Sequence, residues 1–228
     1  MTLILGAMDG EITEARANLQ HPSTTQWNGF QIHHGRIEDQ AVIVAKTGVG
    51  KSLSAMFCQH LIDAHAPDRV LFSGIAGALN PSLEIGDTLI AQDCVIHDMD
   101  ASALGFKRGE IPYSPYRVFA CAPDLVAQAA AVEPMEGSVV TGRVLTGDQF
   151  VASAQTRNEL RAALDGDAVD MEGASVGLVA TVNRVPFLLI RTISDKADGQ
   201  AHIDISPFLK FASRNSWHYL RQTVVNQR

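Results

Sequence analysis

The chain has 228 residues, 46% of them hydrophobic and 19% charged, enough to bury the core of one large domain and too apolar for a disordered or fibrous chain. A formal net charge of −7 and a pI near 5.5 provide no field to draw in a nucleic-acid backbone or an anionic membrane, so the expected ligand is a small molecule. Cys58, Cys94 and Cys121 are odd in number and scattered, which reads as reduced core thiols of a cytoplasmic protein.

Short runs rich in Val, Ile and Leu recur along the chain at Leu3–Leu5, Ala41–Ala45, Arg69–Phe72, Thr88–Ile96, Ser138–Leu145 and Phe187–Ile193. Continuous apolar runs of this length predict strands covered on both faces. Helical patterns lie between them at Glu11–Leu19, Ser52–Ala64, Pro123–Ala131, Ser153–Leu164, Gly173–Asn183 and Ser206–Val225. This order predicts a single α/β domain over residues 1–228. Gly29–Ile37 and Glu136–Leu145 leave no room for crossover helices, so the sheet is expected to be mixed. The N-terminal apolar run stops at Gly6, and no stretch reaches the roughly 18 apolar residues of a membrane helix, so a soluble chain is expected.

Three carboxylates fall at element ends, where α/β proteins place their ligand crevices. Glu11 begins the first helix and Glu172, in Val169-Asp170-Met171-Glu172, stands where a strand runs into a helix. Asp195 ends the most apolar strand, four residues after Arg191. Each alone reads as a helix-terminal or strand-end acid. Together they suit glycosidic cleavage, which needs an acid for the leaving group and a base or stabiliser at the anomeric carbon.

Ala45-Lys46-Thr47-Gly48-Val49-Gly50-Lys51-Ser52 has the strand-loop-helix setting of a phosphate loop, but Ala45 replaces its first glycine and no strand ends in a companion Mg²⁺-binding Asp. It is better read as a glycine turn near a ligand. His97-Asp98-Met99-Asp100 has no second group of ligands at metal-binding spacing, and strand alternation would put His97 and Met99 on one face and the acids on the other. A structural role is expected there, and no metal.

Gly6-Ala7-Met8-x-x-Glu11, Lys46-Thr47-Gly48-Val49-Gly50-Lys51, Ser73-Gly74-Ile75-Ala76-Gly77, Thr146-Gly147-Asp148-Gln149-Phe150, Val169-Asp170-Met171-Glu172 and Ile193-Ser194-Asp195 occur in the order and spacing of the methylthioadenosine/S-adenosylhomocysteine nucleosidases. The resemblance runs from the first strand to the last helix. It implies a three-layer α/β/α domain of the nucleoside phosphorylase kind with a mixed central sheet, a homodimer, and neither metal nor organic cofactor.

By the same resemblance, Asp195 looks like the general acid that protonates purine N7, with Ser194 holding its carboxyl. Glu11 looks like the base that activates water, with Arg191 as its electrostatic partner. Glu172 would accept from the ribose hydroxyls and Met171 pack under the sugar. Phe150 resembles the ring that stacks on adenine, and the Val151 backbone resembles the group that reads its amino edge. Met8, Val49, Ala76, Gly77, Asp170 and Ile205 complete the implied substrate contacts, while Leu104, Phe106 and Pro112 match a loop that closes the partner subunit's 5′ pocket.

Asp170 stands where the family usually carries Glu and Ile205 where an aromatic is common, differences that bear on the preferred 5′ substituent. The expected reaction is hydrolysis of 5′-methylthioadenosine and S-adenosylhomocysteine to adenine and the thioribose product. A futalosine-type nucleosidase or a phosphorylase of the same fold is the near alternative. A P-loop switch built on Lys51 and Ser52, or a non-catalytic purine-binding module, is the alternative of another class. A phosphorylase needs arginines for phosphate; the Ser73–Gly77 segment, expected to be a turn, has none beside it, and Asp9 and Glu11 would repel the anion.

Overall fold

A computed structural model describes residues 1–197 and 206–225. Ile205 lies outside the described residues. The elements run β1 (Thr2–Gly6), α1 (Asp9–Ala17), β2 (Gln20–Trp27), β3 (Phe30–Ile37), β4 (Gln40–Lys46), α2 (Lys51–His65), β5 (Arg69–Ala78), β6 (Thr88–Ile96), β7 (Phe119–Ala120), α3 (Pro123–Ala130), β8 (Val139–Thr146), α4 (Ala154–Leu164), β9 (Ala168–Asp170), α5 (Gly173–Asn183), β10 (Phe187–Asp195) and α6 (Ser206–Val225). The sheet is mixed. β1 pairs in parallel with β4 and β5, and β5 with β10, whereas β6 runs antiparallel to β10 and β9 antiparallel to β5.

Because β10 pairs with both β5 and β6, the strands β5, β9, β8, β6 and β10 form a closed ring. Strands β1, β4, β3 and β2 extend from it as an open wing. The outer hairpin turns at Asn28 and Gly29, both with positive φ, the backbone that two-residue hairpin loops demand.

The apolar runs feed two cores because side chains alternate across a strand. Leu3, Leu5, Ile43, Ala45, Val70, Phe72 and Leu189 face the α2 and α5 side with Phe57, Leu61 and Val176. Ile4, Val42, Val44, Leu71, Leu188 and Ile190 face Ile12, Leu125, Tyr219 and Leu220 of α1, α3 and α6. Each fully buried side chain of this size contributes about 1.5–3 kcal/mol, so truncating one, such as Phe72 to Ala, costs roughly 3–5 kcal/mol.

Two local expectations are corrected. Ser73–Gly77 is no turn but continues β5 alongside β10 from Ile190 to Asp195, with a register shift between Ile193 and Asp195; its glycines allow close approach rather than reversal. His97–Asp100 is no strand: β6 stops at Ile96, and the chain turns there.

Candidate active site

One cavity of about 230 Å³ gathers the C-terminal ends of β1, β5, β9 and β10. It is lined by Met8 and Glu11 from the β1–α1 junction, Ala76 and Gly77 from β5, Asp170, Met171 and Glu172 from the β9–α5 junction, Ser194 and Asp195 from β10, and Val49, Phe150 and Val151 from two loops. Ala7, Ile75, Gln149 and Val169 line it too. These four were not singled out from the sequence as contacts, although all of them sit inside its motifs.

Glu11 is buried, and its carboxylate is held by backbone amides: Ala7 and Met8 donate to Oε2 at 2.7 and 2.9 Å, and Ile75 to Oε1 at 3.0 Å. Burial raises its pKa, against the Arg191 charge and those amides. Gly74 makes this approach possible, since a Cβ there would lie 2.5 Å from Glu11 Oε1 and 2.9 Å from Arg191 Nη1. Glu172 is the N-cap residue of α5, and its Oε1 accepts from the Gly50 amide at 2.8 Å. Burial, then the neighbouring Asp170, push its pKa up to about 7, with Arg191 opposing.

Asp195 is buried at the end of β10. Ser194 Oγ donates to its Oδ2 at 2.8 Å and the Ala197 amide to its Oδ1 at 2.8 Å. Arg191 lies beneath, 4.5 Å from the centre of the Phe72 ring. Its guanidinium donates to Asp170 and, at 3.4 Å, to the Ile190 carbonyl, and it meets Glu11 through charge. Asp170 also accepts from Thr146 Oγ1 at 2.5 Å and from the Gly173 amide at 3.1 Å. Its carboxylate is thereby committed to the protein's own donors, whatever its backbone lends to the cavity wall.

Phe150 is 64% exposed at the rim and Val49 is 48% exposed. Leu104, Phe106 and Pro112 do not line the cavity of their own chain. Leu104 is exposed, and the Phe106 ring meets Tyr113 edge to face. The glycine turn before α2 is filled by carboxylates of the protein itself, Glu172 on the Gly50 amide and Asp148 on the Lys51 amide. No group of three or more metal-ligating side chains converges among the described residues.

A mixed α/β sheet with carboxylates collected at its strand ends makes a site of the kind that glycosidic cleavage uses. The family model of the phosphorylase superfamily matches residues 2–222. A 5′-methylthioadenosine/S-adenosylhomocysteine nucleosidase of Staphylococcus aureus (strain bovine RF122 / ET3-1) is 32% identical over 93% of this chain and 94% of its own. The nucleosidase of Neisseria meningitidis in complex with methylthio-immucillin-A superposes with a TM-score of 0.92 at 31% identity, over 98% of this chain and 97% of that one. A futalosine hydrolase mutant of Helicobacter pylori superposes at 0.91 with 33% identity, over 98% and 97%. The chain belongs to the phosphorylase superfamily and, within it, to the 5′-methylthioadenosine/S-adenosylhomocysteine nucleosidases.

Proposed function

We propose that this enzyme hydrolyses the N-glycosidic bond of 5′-methylthioadenosine and S-adenosylhomocysteine, releasing adenine and the thioribose product. The observation that carries the reading is the convergence of Glu11, Glu172 and Asp195 on one cavity with an aromatic ring at its rim. Asp195 protonates purine N7 as the bond breaks, so that adenine leaves neutral, and Ser194 fixes the carboxyl that does so. A positioned general acid contributes about 10²–10⁴-fold. The sugar becomes oxocarbenium-like, and the nearby carboxylates stabilise that charge more in the transition state than in the ground state.

Glu11 takes a proton from the attacking water. Glu172 accepts from the ribose hydroxyls, with Met171 under the ring. Phe150 stacks on the base, and Val151 presents its backbone to the amino edge. Met8, Val49, Ala76 and Gly77 supply the remaining walls. No metal or organic cofactor has a part in this sequence of steps. Water is favoured over phosphate because no Arg or Lys among the described residues lines the cavity, while four carboxylate residues, Glu11, Asp170, Glu172 and Asp195, do.

The same reading makes the protein a cytoplasmic homodimer. Val49, Leu53 and Met56 form an exposed apolar strip beside the cavity mouth, and Leu104 and Tyr113 lie exposed on the loop after β6. Each suits the other across a two-fold, with Leu104, Phe106 and Pro112 of one subunit over the 5′ end of its partner's pocket.

Incubation with 5′-methylthioadenosine, with and without phosphate, tests the chemistry. Adenine and a free thioribose are expected in both. A phosphate-dependent sugar 1-phosphate would overturn the hydrolytic reading, and faster turnover of a futalosine-type nucleoside would overturn the substrate.

A further inference from the structure

Two sequence features with no role in the chemistry, Lys51 of the glycine turn and Asp98 after β6, meet in one place. Lys51 Nζ bonds Asp98 Oδ1 at 2.5 Å and lies 3.7 Å from Asp148 Oδ2. The other Asp98 oxygen accepts from the Asp148 amide at 2.9 Å, and Asp148 Oδ1 accepts from the Lys51 amide at 2.8 Å. Asp148 is therefore gripped at its backbone by one partner and at its side chain by the other. Lys51 and Asp98 are each 21% exposed at the side chain, shielded enough for the pair to resist solvent screening.

Asp148 opens the loop that carries Gln149, Phe150 and Val151 to the cavity. That loop has few other ties at this end. The His97 amide donates to Thr146 O and the Gly147 amide to Asp170 O. The His97 imidazole packs against Gly147 so closely that a Cβ there would lie 2.3 Å from Nε2. Both ring nitrogens are buried without a partner among the described residues, so His97 supplies a packed floor and no hydrogen bond to the loop. Without the Lys51 charge, the Asp98 and Asp148 carboxylates would face each other with nothing between them. The ribose end is anchored separately, because Glu172 receives the Gly50 amide and not the Lys51 side chain.

We propose that Lys51 is a positioning residue which, through Asp98 and Asp148, holds the Gly147–Val151 loop in the conformation that binds the purine. It sets affinity for the base and leaves the bond-breaking groups where they are. This inference rests on the nucleosidase reading, which places the base at Phe150.

Lys51→Met, Lys51→Arg and Asp98→Asn test it, with thermal melting to verify that each is folded. For 5′-methylthioadenosine, Lys51→Met and Asp98→Asn are expected to raise KM by roughly tenfold, the equivalent of about 1.4 kcal/mol, with kcat within about threefold of wild type. Inhibition by free adenine should weaken in proportion, while inhibition by 5-methylthioribose stays unchanged. Lys51→Arg should recover most of the loss, and the Lys51→Met/Asp98→Asn double variant should be little worse than either single one. A fall in kcat with adenine affinity intact in both single variants would overturn the inference alone. Wild-type protein that neither cleaves methylthioadenosine nor is bound by adenine would overturn the functional reading and this inference with it.

Discussion

Asp170 receives Nε and Nη2 of Arg191 on a single carboxylate oxygen, each at 2.8 Å, and both side chains are 1% exposed. The pair sits under the cavity and fixes the β9–α5 junction to β10, the two elements that deliver Glu172 and Asp195. Removing one member of a buried pair leaves the other charge uncompensated, which costs about 3–5 kcal/mol. Asp170→Ala should lose about that much in urea or guanidinium unfolding. A loss under about 1 kcal/mol would show that Arg191 has another sufficient partner.

Asp195→Asn keeps the size of the side chain and removes the transferable proton. Turnover should fall by about 10²–10⁴-fold, while the affinity for methylthioadenosine, measured by calorimetry on the inactive variant, stays within a few-fold. Ser194→Ala removes only the hydroxyl that orients this carboxyl and should cost roughly tenfold in kcat, the scale of one hydrogen bond near 1 kcal/mol. Wild-type turnover by Asp195→Asn would move the acid role elsewhere.

Glu172 has its pKa pushed up to about 7 by burial and by Asp170, and burial raises that of Glu11 as well. Glu11 can take the water's proton only when ionised, and Glu172 accepts from both ribose hydroxyls best as the carboxylate, so kcat/KM should climb as pH rises, with the Glu172 step near 7. Stability should run the other way. A carboxyl with a folded-state pKa above its unfolded value contributes stability that is complete below about pH 4.5 and is lost as pH rises through about 7. Glu172→Gln, which keeps an acceptor for the Gly50 amide, should therefore melt above wild type at pH 8, the difference closing towards pH 5. Parallel melting curves across this range would contradict the buried, protonatable state of Glu172.

These groups were visible in the sequence because each sits at the end of a periodic segment, where apolar strands such as Phe187–Asp195 and helices such as Gly173–Asn183 mark their own boundaries. Strand β2 had no such mark. Six of its eight residues are polar and seven are exposed, and it exists through pairing with β3 and the Asn28-Gly29 turn. The ring closed by β10 on β5 and β6 rests on pairings far apart in sequence, which periodicity does not encode. Local spacing likewise placed Asp170 two residues from Glu172 but could not tell which of them faces Arg191. For Lys51 the strand-turn-helix setting was legible, whereas the carboxylates that occupy the turn come from residues some 50 to 120 positions away.

Leu53 and Met56 stand one helical turn apart on α2, 42% and 43% exposed, with Val49 just ahead of them at the cavity wall. An apolar strip beside a binding site is a signature of an interface, and the homodimer proposed above would bury it between two copies of the chain. Leu53→Asp would place a charge at its centre without touching the buried face of α2 formed by Phe57, Cys58 and Leu61. Sedimentation velocity should then show a monomer that still melts cooperatively. Because Leu104, Phe106 and Pro112 would no longer reach the neighbouring pocket, KM for methylthioadenosine should rise by about tenfold or more, while adenine, which needs only the Phe150 end, binds as before. A wild-type monomer in solution, or a Leu53→Asp monomer with unaltered KM, would remove the partner loop from the site.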